Sequence, residues 1–153
     1  YRVGVAQVDV GCTPTMGLYP IAAISSTWHK VSASVRQPTK SASSSRPLGS
    51  GTVPVFGTPA LVGLMEAAAV QALADFLLDG QTSVGAGIDV RHLAPTPVGM
   101  HVRARAELVG SEGRRLSFRI EAWDEVERIG EATHERMIID AERFVTRASA
   151  KVR

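Results

Sequence analysis

The sequence predicts one α+β domain in which an antiparallel β-sheet wraps around a long central α-helix. A nearly all-apolar helical stretch within residues 51–78 needs other parts of the chain to cover it. Segments with period-two alternation follow, between Val84 and Ile139, and they are suited to form that cover. The length of 153 residues is enough for one domain with a real core and is short for two.

The central helix has the clearest start signal in the sequence. Thr58 followed by Pro59 fits an N-cap hydroxyl with proline at the first helical position, so we expect the helix to begin at Pro59. Its apolar residues recur at three- and four-residue spacing, at Leu61, Leu64, Met65, Ala68 and Ala72. Leu77 and Leu78 close the run and Asp79–Gly80 supplies the stop, which gives about five turns.

Three or four strands come after the helix. The first spans Val84 to Leu93 and ends at the two prolines of APTPVG. The next two are joined by a turn at Glu112–Gly113, and the last runs from Ile129 to Ile139. In the middle pair, one face of each strand is apolar: Val102, Ala104, Ala106 and Leu108, then Leu116, Phe118, Ile120 and Ala122. The apolar helix is the only candidate to cover that face.

A helix packed in the curve of an antiparallel sheet is the hotdog fold. We assign it to residues 49–153, and we expect residues 1–48 to be a weakly structured lead-in because nine serines fall between Ser25 and Ser50. Within the lead-in, His29 to Arg36 alternates enough to form an edge strand. An open edge of such a sheet can pair with a second copy, so we expect a homodimer or a higher homo-oligomer.

Composition and charge exclude several classes of protein. The net charge is +2, and the basic excess lies in residues 1–50, which contain five Lys or Arg and a single acidic residue, Asp9. Because the basic excess is confined to this segment, we expect no nucleic-acid partner. No apolar run is long enough to span a bilayer. Cys12 is the only cysteine, which predicts no disulfide framework and favours the cytoplasm. The histidines and carboxylates show no metal-ligand spacing.

Three polar residues are candidates for chemistry. Glu66 lies in the interior of the apolar helix, where an isolated carboxylate is costly unless it is paired or reacting, or else it points to solvent from a narrow polar side. His92 ends a strand and suits an acid or base, although a half-exposed strand-end histidine is an equally good interpretation. Capping is a sufficient explanation for Thr58, and the sequence alone leaves open whether its hydroxyl instead attacks a carbonyl. His29 and His101 we assign to the surface.

Two glycines interrupt the first predicted strand. Gly85 and Gly87 indicate either a close approach of another backbone or ligand, or a β-bulge. Both interpretations are left open by the pattern.

Three runs of residues together resemble the fluoroacetyl-CoA thioesterase family of hotdog-fold acyl-CoA thioesterases. These runs are TPALVGLMEAAAV, VGAGIDVRHLAPTPVG and AELVGSEGRRLSFRIEAWDEVERIGEATHERMIID, and the similarity covers roughly residues 51–153. The resemblance implies a catalytic set of Thr58, Glu66 and His92. It also implies substrate or CoA contacts at Gly85, His92 and Arg136.

The implied activity is hydrolysis of a short-chain, fluoroacetyl-CoA-like acyl-CoA, with coenzyme A present only as part of the substrate and no separate cofactor. His92 would act as base and acid, Glu66 would orient it or activate water, and Thr58 would be nucleophile or hydrogen-bond donor. For His134 we expect no role other than packing or a cofactor contact. Candidates for the CoA phosphates are Arg103, Arg105, Arg114 and Arg115.

The segment before Thr58 departs from the family. Members selective for the fluorinated substrate have a phenylalanine-bearing lid there, whereas this chain has RPLGSGTVPVFG with Phe56 as its only aromatic residue. We therefore expect a general short-chain acyl-CoA thioesterase. The alternatives are a hotdog domain that binds acyl-CoA or acyl-carrier thioesters without cleaving them, and a dehydratase of the same fold.

Overall fold

A computed structural model describes residues 31–152 of the chain. It contains five strands and two helices, with a short 3-10 turn at Ser41–Ser43. In chain order they are β1 (Ser32–Pro38), α1 (Thr58–Leu73), β2 (Gln81–His92), β3 (His101–Glu112), β4 (Arg115–Trp123), β5 (Arg128–Asp140) and α2 (Ala141–Ser149).

The five strands form one antiparallel sheet in the order β1-β3-β4-β5-β2. Strands β3, β4 and β5 are a meander, and Gly113 in the β3–β4 turn has a φ of 59°, the left-handed conformation that glycine adopts without strain. Strand β2 crosses over to pair with β5, so β1 and β2 are the two edges.

Helix α1 covers the apolar face of this sheet. All of the helix positions predicted to be apolar contacts are buried, and so are all eight alternating positions of β3 and β4. Burying a side chain such as Leu61 or Met65 stabilises the fold by about 2 kcal/mol. The sequence prediction of an antiparallel sheet wrapped on an apolar helix is confirmed.

The helix differs from the prediction at both ends. It starts at Thr58 with Gly57 as its N-cap, so the prediction that Thr58 is the capping residue is wrong. It stops at Leu73 because the next turn tightens, with the amide of Ala74 bonded to the Gln71 carbonyl. At 16 residues, α1 is about one turn shorter than expected, and a long central helix is not confirmed.

The expected edge strand before the helix is present. Strand β1 pairs with β3 from Ser32 to Pro38, inside the segment predicted as a lead-in, residues 1–48. Of the rest of that segment, residues 39–48 contain the 3-10 turn at Ser41–Ser43, whereas residues 1–30, which include Cys12 and His29, lie outside the described residues.

A second helix, α2, was not predicted. Asp140 caps it by accepting a hydrogen bond of 2.8 Å from the Arg143 amide, and none of its residues is buried. Neither α1 nor α2 is long and apolar enough to cross a membrane, and they are the only α-helices within residues 31–152.

Candidate active site

A glycine in β5 brings the start of α1 close to the end of β2. A Cβ built on Gly130 would lie 2.9 Å from Cδ2 of Leu61 and 3.1 Å from Cε of Met65, so a larger residue would push the helix away. Gly130 is also the register partner of His92. Because directly paired residues share a face of the sheet, His92 faces α1 as well.

This close approach joins Thr58 and His92. Oγ1 of Thr58 lies 3.0 Å from Nδ1 of His92, a hydrogen-bond distance. Since Gly57 occupies the cap position, the Thr58 hydroxyl is not needed to cap the helix and is available to the imidazole. We call Thr58 and His92 the hydroxyl–imidazole pair.

The other nitrogen of His92 is unusual. Nε2 is buried and has no hydrogen-bond partner among residues 31–152. Orphaned buried nitrogens are rare in folded proteins and each calls for an explanation. Burial lowers the pKa of His92, and the nearby Ala94 backbone partly offsets that effect, so the ring is neutral at pH 7 and able to accept a proton.

Glu66 lies beside the bulge in β2. The register shifts between Gly85 and Gly87, so Ala86 is the extra residue and both Gly85 and Ile88 face the helix. A Cβ on Gly85 would lie only 2.7 Å from Oε1 of Glu66. The bulge interpretation of these glycines is therefore correct, whereas the near neighbour of Gly85 is a side chain and a Cβ on Gly87 would meet no atom within 4 Å.

The carboxylate of Glu66 has two basic neighbours on β5. Its Oε1 lies 3.8 Å from Nε2 of His134 and 3.8 Å from Nη1 of Arg136. Both neighbours are almost fully buried, whereas the Glu66 side chain is 43% exposed. The carboxylate thus has an electrostatic anchor on one side and an open side facing away from it.

His134 and Arg136 are held by a dense set of hydrogen bonds. Nδ1 of His134 lies 2.8 Å from the Gly87 carbonyl, and its Nε2 lies 3.0 Å from Nη1 of Arg136. Nε and Nη2 of Arg136 donate to the hydroxyl and the carbonyl of Ser83. We call Glu66, Gly85, His134, Arg136 and Ser83 the carboxylate cluster.

Burial sets the ionisation of both basic groups. It lowers the pKa of His134, an effect that Arg136 strengthens and that the Gly87 hydrogen bond and Glu66 oppose. It also lowers the pKa of Arg136, with Glu66 opposing, but a guanidinium keeps its proton in proteins. At pH 7 the cluster therefore holds a neutral imidazole beside a charged arginine.

One chain does not bring all three predicted catalytic residues together. Thr58 and His92 meet, whereas Glu66 lies eight residues further along α1, about 12 Å along the axis at 1.5 Å per residue. The hydroxyl–imidazole pair and the carboxylate cluster are therefore two separate half-sites on the same side of the sheet.

The arginines considered for the CoA phosphates do not join either half-site. Arg103 and Arg105 alternate with the buried residues of β3 and so lie on the opposite face of the sheet, where Arg103 stacks on Trp123 with 4.6 Å between its Cζ and the ring centroid. Arg115 alternates in the same way with Leu116, and Arg114 lies in the adjoining turn. His101 is exposed, as expected, and its Nδ1 lies 3.3 Å from Oε1 of Glu125.

A family model described as fluoroacetyl-CoA-specific thioesterase matches residues 37–142. This chain belongs to that family. A curated relative, the fluoroacetyl-CoA thioesterase of Streptantibioticus cattleyicolor, is 50% identical over 99 residues, which are 65% of this chain and 68% of the relative. The match includes every residue of the two half-sites, because all of them fall within residues 58–136.

Solved structures agree in fold. The fluoroacetyl-CoA thioesterase FlK has a TM-score of 0.75 and 38% identity, over 80% of this chain and 95% of that one. A mutant of that enzyme in complex with fluoroacetate and CoA has a TM-score of 0.69 and 41% identity, over 74% and 95%. A Thermus thermophilus protein of the thioesterase superfamily has a TM-score of 0.72 and 29% identity, over 78% and 91%. The hotdog fold is thereby confirmed.

Sequence reasoning missed the roles of Ser83 and of the Gly87 carbonyl, and it left His134 without one. A signal for His134 was present, since His134 and Arg136 share the inward phase of β5 with Ala132 and Ile138. Two basic residues in an apolar phase indicate a buried polar network. Its partners across the sheet depend on the bulge, which the sequence pattern does not locate.

Proposed function

We propose that this chain is an acyl-CoA thioesterase that hydrolyses a short-chain acyl-CoA to the free acid and CoA. The observation that carries the proposal is the 3.0 Å approach of the Thr58 hydroxyl to Nδ1 of a neutral, partly buried His92. A hydroxyl bonded to a neutral imidazole is the arrangement of an activated nucleophile. Membership of a thioesterase family supports a thioester as the bond attacked.

The reaction would proceed in two steps. Oγ1 of Thr58 attacks the thioester carbonyl while Nδ1 of His92 takes its proton; the C–O bond forms, the C–S bond breaks, and His92 returns the proton to the CoA thiolate. Water then cleaves the acyl-threonine ester and restores the hydroxyl. Because Thr58 is the first residue of α1, the oxyanion develops at the positive end of the helix dipole.

Water activation is the task we propose for Glu66, acting from a second copy of the chain. Within residues 31–152 no strand pairs with the outer edge of β2. The uncovered side of α1 is also apolar apart from Glu66 and Gln71, since Gly63, Ala67 and Val70 are exposed on the same helical face. An open edge beside an apolar helix face suits a homodimer in which two β2 strands pair.

Such a pairing can unite the two half-sites. In an antiparallel pair related by a two-fold axis, residues equally far from the axis on either side lie opposite each other. An axis near Ile88–Asp89 therefore sets His92 opposite Gly85 of the partner subunit, next to Glu66 of the partner subunit. Each dimer would then have two complete sites, with Arg136 behind the carboxylate since its side chain is only 6% exposed.

Mixing two inactive variants tests the shared site. In a 1:1 mixture of His92→Ala and Glu66→Gln, refolded together, half of the dimers are hybrids and each hybrid has one intact site. Activity should then return to about a quarter of the wild-type value. No recovery in confirmed hybrids would show that Glu66 acts within its own chain or not at all.

The acyl preference should be broad. Phe56, the only aromatic residue before Thr58 in this segment, is 1% exposed and its amide bonds to the Thr96 carbonyl, so its ring packs in the core. We therefore propose that fluoroacetyl-CoA and acetyl-CoA are hydrolysed with kcat/KM values within about tenfold of each other. A selectivity of about tenfold is the smallest that one extra methylene group of a substrate gives in an apolar pocket.

A panel of acyl-CoA thioesters, followed with a thiol-reactive dye, tests the activity itself. We expect free CoA from short-chain substrates with the wild-type protein. Tight binding without release of CoA would favour the non-catalytic domain, and an enoyl product without free CoA would favour the dehydratase. A cytoplasmic location, expected from the single cysteine, stays a prediction.

A further inference from the structure

The carboxylate cluster contains a histidine that the proposed reaction does not use. His134 is 1% exposed and faces away from solvent, so it cannot exchange protons freely with substrate or water. It is register partner to Phe118 on β4, which is also buried, and its ring lies between the Gly87 carbonyl and the Arg136 guanidinium. Any buried histidine needs hydrogen-bond partners, but one partner here is the charged Arg136, whose other neighbour is Glu66.

The hydrogen bonds fix the tautomer of this ring. A carbonyl oxygen can only accept, so Nδ1 must carry the proton that is donated to Gly87. Nη1 of Arg136 can only donate, so Nε2 must be the acceptor. The two bonds are compatible with one neutral form and exclude the other tautomer and the imidazolium.

The fixed tautomer also fixes the arginine. With Nε and Nη2 committed to Ser83 and one N–H of Nη1 committed to His134, the guanidinium has one orientation. The remaining N–H of Nη1 faces Oε1 of Glu66, and the 3.8 Å between them is an ion-pair distance, longer than a hydrogen bond. The chain of contacts runs from the bulge carbonyl of Gly87 through His134 and Arg136 to Glu66.

We propose that His134 is a positioning residue for Glu66, in which the neutral Nδ1–H ring fixes the orientation of Arg136 so that the guanidinium charge, 3.8 Å from Oε1, holds the carboxylate in place. This role rests on the proposed thioesterase function. His134 acts through Arg136 and does not touch the substrate.

Two replacements separate positioning from packing. His134→Phe keeps a planar ring and removes both nitrogens, whereas His134→Gln keeps one donor and one acceptor. We expect kcat to fall at least about tenfold in His134→Phe with KM changed less than about threefold, and kcat in His134→Gln to stay within about threefold of wild type. Equal losses in both variants, or a fully active His134→Phe, would overturn the proposal.

A double variant tests the route of action. If His134 acts only through the Glu66 carboxylate, adding His134→Phe to Glu66→Gln should lower kcat by less than about twofold more. A further loss as large as that of His134→Phe alone would mean that His134 acts elsewhere, and would overturn the proposal.

A third measurement does not depend on activity. Nitrogen-15 NMR of the wild-type protein at pH 7 should show His134 as the Nδ1–H tautomer, and an imidazolium or an Nε2–H ring would overturn the proposal even if His134→Phe fails to fold. A wild-type protein that hydrolyses no thioester would instead refute the thioesterase function, and the effect of His134 on kcat could then not be measured. The NMR experiment would still determine the tautomer of the His134 ring.

Discussion

The hydroxyl–imidazole pair and the carboxylate cluster are built in opposite ways. In the pair, one hydrogen bond of 3.0 Å joins two side chains, Thr58 is exposed, and Nε2 of His92 has no partner among the described residues. In the cluster, His134 and Arg136 are almost fully buried and every ring nitrogen of His134 is bonded.

In the proposed reaction, this difference separates the reacting groups from the groups that hold them. A nucleophile and its base must change partners during the reaction, so few permanent hydrogen bonds suit them. A residue that orients another must resist change, and a saturated buried network provides that rigidity. Glu66 combines both features, because the basic groups that anchor it are buried whereas its own side chain is 43% exposed.

Removal of His92 should have the largest effect on activity. In His92→Ala the base and acid of the proposed reaction are lost, so kcat/KM for acetyl-CoA should fall about 1,000-fold, in the range for a general acid–base group. Steady-state kinetics measure this, with circular dichroism as the control for folding. Activity equal to that of wild type would remove the pair from the reaction.

Thr58→Val should affect activity strongly and stability little. Valine keeps the shape of threonine without the hydroxyl, so the proposed nucleophile is lost and kcat should fall almost as far as in His92→Ala, by about 500-fold. Because Gly57 caps α1, the free energy of unfolding should change by less than about 0.5 kcal/mol, as for a surface change. A loss near the 1 kcal/mol typical of a missing N-cap, measured by urea unfolding, would contradict the geometry.

Two glycine replacements in β2 test the carboxylate cluster. In Gly85→Ala the new Cβ would lie 2.7 Å from Oε1 of Glu66, so the flexible carboxylate must move, and kcat should fall about 30-fold. Gly87→Ala is the matched control, since its Cβ would meet no atom within 4 Å. Both proteins should unfold at the wild-type urea midpoint or slightly above it. Equal kcat values for the two variants would argue against a role for the position of Glu66.

The smallest effect concerns stability and pH. Burial lowers the pKa of His92 and His134, so below about pH 6.5, the ordinary histidine pKa, the unfolded chain binds protons that the folded protein does not. The free energy of unfolding should therefore fall as the pH drops below 6.5, until the lowered folded pKa is passed. Urea unfolding at several pH values should show a weaker dependence in His134→Gln. An unchanged dependence would mean that His134 does not titrate differently on folding.

Much of the fold could be predicted because its signals are local. The alternation of β3 and β4, the apolar spacing of α1 and the turn glycine at Gly113 are each visible within about a dozen residues. The ends of α1 were predicted less well, since the cap at Gly57 and the tight last turn at Ala74 depend on what the neighbouring loops supply. Helix α2 has a capping aspartate, Asp140, and an amphipathic sequence, but it is only nine residues long and buries none of them.

The sequence by itself determined which residue types are available, namely a hydroxyl at a helix start, a carboxylate on an apolar helix and a histidine at a strand end. Only the tertiary structure decided how they group. The close approach allowed by Gly130 brings the Thr58 hydroxyl within hydrogen-bond distance of His92. The bulge at Ala86 directs Gly85 toward Glu66 and the Gly87 carbonyl toward His134. Both depend on the register of strands distant in sequence, which no local pattern encodes.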